Sequence, residues 1–175
     1  MLYSGKGDAG TTRLFGCTDR IAKDDARVQS LGEIDELNSW LGFCAASARE
    51  KGEEHMMHAL REIQNDLFVI QAMLAGAPKT LDPGRVTYLE SRIADIESEI
   101  EPIYSFTIPG ATLLGSTLDV GRSIARRAER SVVTLHDKAL LPGVIPYLNR
   151  LSSTLFAFAR LVAHRTHVKE QAPRY

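Results

Sequence analysis

The stretch "MMHALREIQNDLFVIQAML", residues 56 to 74, decides the fold. Its apolar residues Met56, Leu60, Ile63, Leu67, Ile70 and Leu74 recur at alternating steps of four and three, which stacks them on one side of an α-helix and would scatter them over both faces of a strand. The same rhythm runs outward in both directions. Ile34, Leu37, Leu41 and Cys44 carry it before this stretch, and Val86, Leu89, Ile93, Ile96 and Ile100 carry it after. A fourth run comprises Leu114, Leu118, Gly121, Ala125, Ala128, Val132 and Leu135, and a fifth Val144, Leu148, Leu151, Leu155, Phe158 and Val162. Asp82-Pro83 suits a helix cap followed by a first-turn proline, and "LPG" at 141–143 reads as a break. The segments "GAPKTLDPG" (76–84) and "EPIYSFTIPG" (101–110) are the connections. Heptad-like seams of this kind predict an all-α fold, five helices packed at roughly 20° in an up-and-down bundle.

A chain of 175 residues fits one domain over 1–175, with an N-terminal loop at 1–24, the bundle at 25–168 and a tail at 169–175. The 22 acidic and 21 basic residues nearly cancel, so an anion site must come from local clustering, and a general nucleic-acid binder is not expected. There is no apolar signal core at the N-terminus, and no apolar run approaches the ~20 residues that span a bilayer; the expected location is cytoplasmic. Cys17 and Cys44 have no C-x-x-C spacing and are expected to be reduced, structural thiols.

Departures from the apolar pattern point to a site. The seam of Val28 and Leu31 continues into Asp35, Asn38 and Gly42; an ionised carboxylate inside such a stripe calls for a cationic partner from another helix, unless it lies at a solvated helix edge. In "GRSIARRAERSVV", Arg122, Arg126 and Arg130 recur every four residues with Arg127 beside them. Like charges at that spacing disfavour the helix by roughly 0.2–0.5 kcal/mol per pair, offset in part by Glu129 against Arg126. A solvated basic face is the ordinary explanation of such a run, but the polar "YLNRLSS" (147–153) interrupts a second seam, and guanidinium forks suit phosphates and carboxylates. The histidine pairs at 55/58 and 164/167 lack the Glu-x-x-His partners of a di-iron bundle, so no protein-held metal site is expected. No serine or cysteine is paired with a base, so any nucleophile is expected to come from a substrate. The glycine-rich "YSGKGDAGTTRLFG" (3–16) fits either an amide nest for phosphate or a loose terminus, and it is not a Walker loop, because Lys6 precedes glycine.

Taken together, "SGKGDAGTT", "KDDARVQSLGEIDELNSWLG" (23–42), "RSIARRAER" (122–130) and "YLNRLSSTLFAFAR" (147–160) resemble the PduO-type ATP:cob(I)alamin adenosyltransferases in order and approximate spacing. The resemblance implies a five-helix, ferritin-like bundle that forms a homotrimer, with ATP and a corrinoid bound at subunit interfaces. It implies transfer of the 5′-deoxyadenosyl group of ATP to cob(I)alamin with release of triphosphate, and Mg²⁺ accompanying the triphosphate. Ser4, Gly7, Asp8, Gly10, Thr11 and Thr12 would wrap the ATP, with Lys23 on phosphate and with Arg126, Glu129, Arg130 and Asn149 completing the nucleotide site. Asp35 and Arg122 would bridge beside the corrinoid. Phe106 would sit under the corrin ring and displace the lower axial ligand. A reductase and a B12-dependent enzyme are the implied partners. The chain departs from the family pattern at Ser4-Gly5, where threonine followed by lysine or arginine is usual, and at Ser153, where aspartate is usual. The alternative is a non-catalytic helical bundle that binds or carries a nucleotide or corrinoid.

Overall fold

Asp25 starts the bundle. Its carboxylate accepts the Arg27 amide N–H at 2.8 Å, satisfying one of the unpaired donors at the start of α1 (Ala26–Glu50). The computed structural model describes residues 3–137 and 141–174; residues 1, 2, 138–140 and 175, which the sequence reading includes in the single domain, lie outside the described residues. Four further helices follow: α2 (Glu54–Leu74), α3 (Gly84–Glu99), α4 (Leu113–Val133) and α5 (Leu141–Arg165). α1 packs on α2 and α4, α4 on α5, and α5 on α3. No helix among the described residues is long and apolar enough to cross a membrane.

The predicted seams are the core. Ile34, Leu37, Leu41 and Cys44 of α1 and the six apolar residues named for α2, Met56 to Leu74, are buried. On α3 only Leu89 and Ile96 are buried, as expected of a helix that covers one side of the bundle. Small residues set how closely α4 approaches its neighbours. A Cβ added at Gly121 would come within 3.1 Å of the Trp40 ring of α1 and 3.6 Å of Leu155 of α5, and the Trp40 indole donates to the Thr117 carbonyl at 2.7 Å. At the head of α4 the Thr112 hydroxyl accepts from Gly115 N–H at 2.9 Å.

Three local expectations are corrected. Pro142-Gly143 does not precede α5 but lies in its first turn, where a proline costs little because the N–H groups there have no intrahelical acceptor. The segment before α1 holds two short antiparallel strands, β1 (Thr11–Thr12) and β2 (Ile21–Ala22), with Thr11 opposite Ala22 and Thr12 opposite Ile21; two residues are too few to show an alternating pattern. Cys17 is exposed and so is not a structural thiol, whereas Cys44 is buried and burial pushes its thiol up to about 11. A disulfide reagent at neutral pH is expected to titrate one thiol in the native protein and two after unfolding. Two rapid native equivalents would show that the α1 seam opens readily.

Candidate functional site

The arginine face of α4 is shared among three environments. Arg127 is held by α1, with its Nε 2.5 Å from Glu33 Oε2 and its Nη2 on the Glu36 carboxylate. Arg122 Nε lies 3.4 Å from Asp119 Oδ1, one turn earlier. Arg126 and Arg130 are exposed, and among the described residues neither has an ion-pair partner. The expected Arg126–Glu129 contact is not made; Glu129 Oε1 instead accepts from Asn149 Nδ2 at 3.1 Å. That amide is oriented from the other side, because Arg150 Nη1 donates to Asn149 Oδ1 at 2.9 Å while Arg150 Nε reaches Glu90 of α3 at 2.8 Å. Arg150 therefore has a carboxylate partner without an aspartate at 153, and Ser153 points to solvent. The result is a recess of ≈ 240 Å³ lined by Arg126, Glu129, Arg130, Val133 and Asn149: two guanidiniums without counter-ions beside one carboxylate and one amide. Such an arrangement suits a polyanion.

The glycine-rich loop is ordered by a residue that sequence reasoning did not single out. Arg20 Nε donates to Thr11 Oγ1 at 2.8 Å, and its Nη2 donates to the carbonyls of Lys6 (2.5 Å) and Thr11 (2.7 Å). Two successive turns, Asp8 N–H to Gly5 O and Gly10 N–H to Gly7 O, are bounded by Gly5 (φ 66°) and Gly10 (φ 74°), where the chain enters and leaves them in a conformation that favours glycine. Lys23 Nζ lies 3.1 Å from where a Cβ at Gly7 would stand, so Lys23 and the Ser4–Thr12 loop belong to one unit. Ser30 of α1 donates to the Ser131 carbonyl of α4 at 3.1 Å, and Arg27 pairs with Asp137 at 2.9 Å. The loop therefore enters α1 at the end of the bundle where Arg126 and Arg130 lie.

A second recess, ≈ 280 Å³, opens toward the N-terminal end of α4 between Arg122, Asp119, Val120 and Ser116 and the Pro109-Gly110 corner of the loop that precedes α4. Phe106 in this loop is 79% exposed, so it does not anchor the loop by burial. Ile103, Tyr104 and Ile108 of the same loop and Leu113 at the head of α4 are exposed as well. Of the two readings of Asp35, the structure takes the solvated helix edge: it is exposed, it accepts from Gln71 Nε2 at 3.1 Å, and Arg122 of the same chain is on Asp119.

The buried carboxylates are elsewhere. Asp66 of α2 accepts the Tyr147 hydroxyl at 2.7 Å and Arg85 Nε at 2.8 Å, with Arg85 at 4.3 Å from the Tyr88 ring centre. Burial first, then the neighbouring Asp66 charge, holds the Tyr147 hydroxyl well above its ordinary pKa, so it remains a donor. Asp119 faces Arg160, each 4% exposed. A signal for Asp66 was present, since it lies between Ile63 and Ile70 at helical spacing, the same pattern that drew attention to Asp35.

A sequence model of the family described as cobalamin adenosyltransferase matches residues 2–162. The chain is 39% identical to a corrinoid adenosyltransferase of Citrobacter freundii over 91% of its own length and 93% of the relative's, and 39% identical to one of Bacillus subtilis over 95% and 89%. It is 36% identical to the corrinoid adenosyltransferase PduO of Salmonella typhimurium, covering 99% of this chain and 54% of that protein, so it spans about half the length of that relative. A phenylalanine-to-alanine variant of a PduO-type ATP:corrinoid adenosyltransferase from Lactobacillus reuteri, complexed with cobalamin and ATP, superposes with a TM-score of 0.92 at 32% identity, with full coverage of both chains.

Proposed function

This chain belongs to the cobalamin adenosyltransferase family, and on that premise we propose that it transfers the 5′-deoxyadenosyl group of ATP to cob(I)alamin, forming a cobalt–carbon bond at C5′ and releasing triphosphate. The observation that carries the reading is the pair of neighbouring recesses along α4, a cationic one at Arg126 and Arg130 and a more apolar one at Arg122 and the Phe106 loop, with Arg122 and Arg126 on their facing edges one turn apart. One turn is about 5.4 Å of helix, which lets two ligands meet end to end.

Cob(I)alamin is itself a strong nucleophile, so the protein needs no activated serine or cysteine and contributes binding, orientation and electrostatics. Arg126 and Arg130 stabilise the charge gathering on the departing triphosphate. Glu129, oriented by Asn149, and the Ser4, Gly7, Asp8, Gly10, Thr11 and Thr12 loop with Lys23 hold the nucleotide. The donor set fits Mg²⁺: the recess supplies a single carboxylate, and Mg²⁺ binds through one or two carboxylates plus substrate phosphates. Glu129 would hold it there. Phe106, exposed in the loop, presses against the corrin and displaces the lower axial ligand. The reaction belongs in the cytoplasm, supplied by a reductase that delivers Co(I) and drained by an enzyme that uses the alkylcobalamin.

The exposed Phe43 of α1 and Phe68 of α2 mark an outer face distinct from the recesses on α4, which suits head-to-tail closure into a homotrimer. In that assembly Asp35 of one subunit meets Arg122 of the next. Truncating either impairs corrinoid binding, and a double-mutant cycle on corrinoid Kd is expected to show coupling of roughly 0.5–3 kcal/mol. Strictly additive losses would mean that the two side chains do not meet.

Product analysis tests the whole reading. Protein, ATP, Mg²⁺ and reduced cobalamin should yield adenosylcobalamin and intact triphosphate in equal amounts. Phosphate and diphosphate without alkylation would identify an ATPase, and binding without product a carrier.

A further inference from the structure

We propose that Arg160 and Thr107 form a tether that sets the position of Phe106, which makes both positioning residues for the corrinoid step; the inference rests on the role given to Phe106 above. The guanidinium of Arg160, on α5, contacts four side chains. Its Nη1 donates to Thr107 Oγ1 at 2.5 Å, its Nη2 to Asp119 Oδ2 of α4 at 2.8 Å, its Nε lies 2.8 Å from Glu170 Oε1 of the C-terminal tail, and its face stacks at 4.6 Å from the Phe156 ring centre. At 4% exposure the cation is tolerated only because two carboxylates meet it, and with them it forms a fixed post where α4, α5 and the tail come together.

What this post holds is the loop. Among the described residues, the hydrogen bonds of segment 101–111 are two: Arg160 Nη1 to the Thr107 hydroxyl oxygen, and Ile108 N–H to the Gln171 carbonyl of the tail at 2.8 Å. Both fall immediately after Phe106, whose ring, like that of Tyr104 (91% exposed), has no packing in the bundle to hold it. An exposed ring that must press on a ligand is useful only if its backbone is fastened nearby, since small misplacement of a positioning group costs rate steeply. The same post reaches the other side of the recess, because the Asp119 carboxylate that binds Arg160 also touches Arg122. Phe106 and Arg122 are thus indexed to one buried guanidinium.

Thr107→Val removes the hydroxyl with little change in shape and leaves Arg160, Asp119 and Glu170 in contact; Thr107→Ser keeps it. In the free protein, Thr107→Val is expected to raise amide hydrogen exchange at Ile108, the hydrogen-bonded amide of this loop among the described residues, at least tenfold. With ATP and cob(II)alamin present, it is expected to lower the four-coordinate Co(II) signal at least fivefold, while KM for ATP stays within twofold and the rate from chemically reduced cob(I)alamin within threefold. Thr107→Ser is expected to restore both readouts. Unchanged loop exchange in Thr107→Val overturns the tether. So does a full four-coordinate signal in that variant when Phe106→Ala abolishes it. If Phe106→Ala leaves the signal intact, the role given to Phe106 fails instead, and loop exchange judges the tether alone.

Discussion

Arg126→Ala is expected to lower kcat for adenosyl transfer by on the order of 10²–10³-fold, about 2.7–4 kcal/mol of transition-state stabilisation, the range found when one preorganised electrostatic donor is removed. The argument is local. Arg126 is exposed and has no ion-pair partner among the described residues, so its removal leaves no orphaned carboxylate and does not disturb the core. It also relieves like-charge repulsion with Arg122 and Arg130 at i±4, worth a few tenths of a kcal/mol to the helix. A loss of turnover with unchanged or slightly raised stability therefore separates a site residue from a structural one. Arg126→Lys should recover part of the loss, because an ammonium supplies the charge without the bidentate fork. Single-turnover rates with saturating ATP and chemically reduced cobalamin make the measurement. A near-normal rate in Arg126→Ala would remove the residue from the site.

Asp66→Ala is expected to destabilise the fold by about 3–5 kcal/mol, because breaking a buried charge pair leaves its partner uncompensated. Here two partners are stranded. The Tyr147 hydroxyl is fully buried and loses its acceptor, and Arg85 loses its 2.8 Å contacts, retaining the Tyr88 ring face and, as its remaining carboxylate among the described residues, Glu62 at 3.7 Å. Arg85 is 20% exposed at its side chain and has some access to water, which favours the lower part of that range. Against a total stability of roughly 5–15 kcal/mol the change is large. Tyr147→Phe should cost only about 1 kcal/mol, since Asp66 keeps Arg85. Denaturant unfolding at one fixed protein concentration reads both values, because self-association would otherwise shift them. A cost under about 1 kcal/mol for Asp66→Ala would show that the network carries little of the stability. Activity per folded molecule should be retained, as Asp66 lines neither recess.

The number, order and buried faces of the helices were legible in the sequence, because a continuous stripe of leucine, isoleucine and valine has one place to go and its period is local information. The basic face of α4 was legible as well, since Arg126 and Arg130 recur at helical spacing, whereas Glu129 and Asn149 were placed in the site only through the family resemblance; the structure brings all four to one recess. Which carboxylates are buried was not legible. Asp35, Asp66 and Asp119 all lie in or beside apolar runs, and periodicity cannot distinguish a helix edge at a neighbour's rim from one that points into the bundle. That depends on how α1, α2 and α4 are rotated against one another and on whether an arginine such as Arg85 or Arg160 arrives from a residue 19 or 41 positions away. The roles of Arg20 and Arg160 were hidden for the same reason. A guanidinium that satisfies backbone carbonyls or a distant hydroxyl leaves no mark in spacing, because its partners are chosen by the packing of the chain rather than by its order.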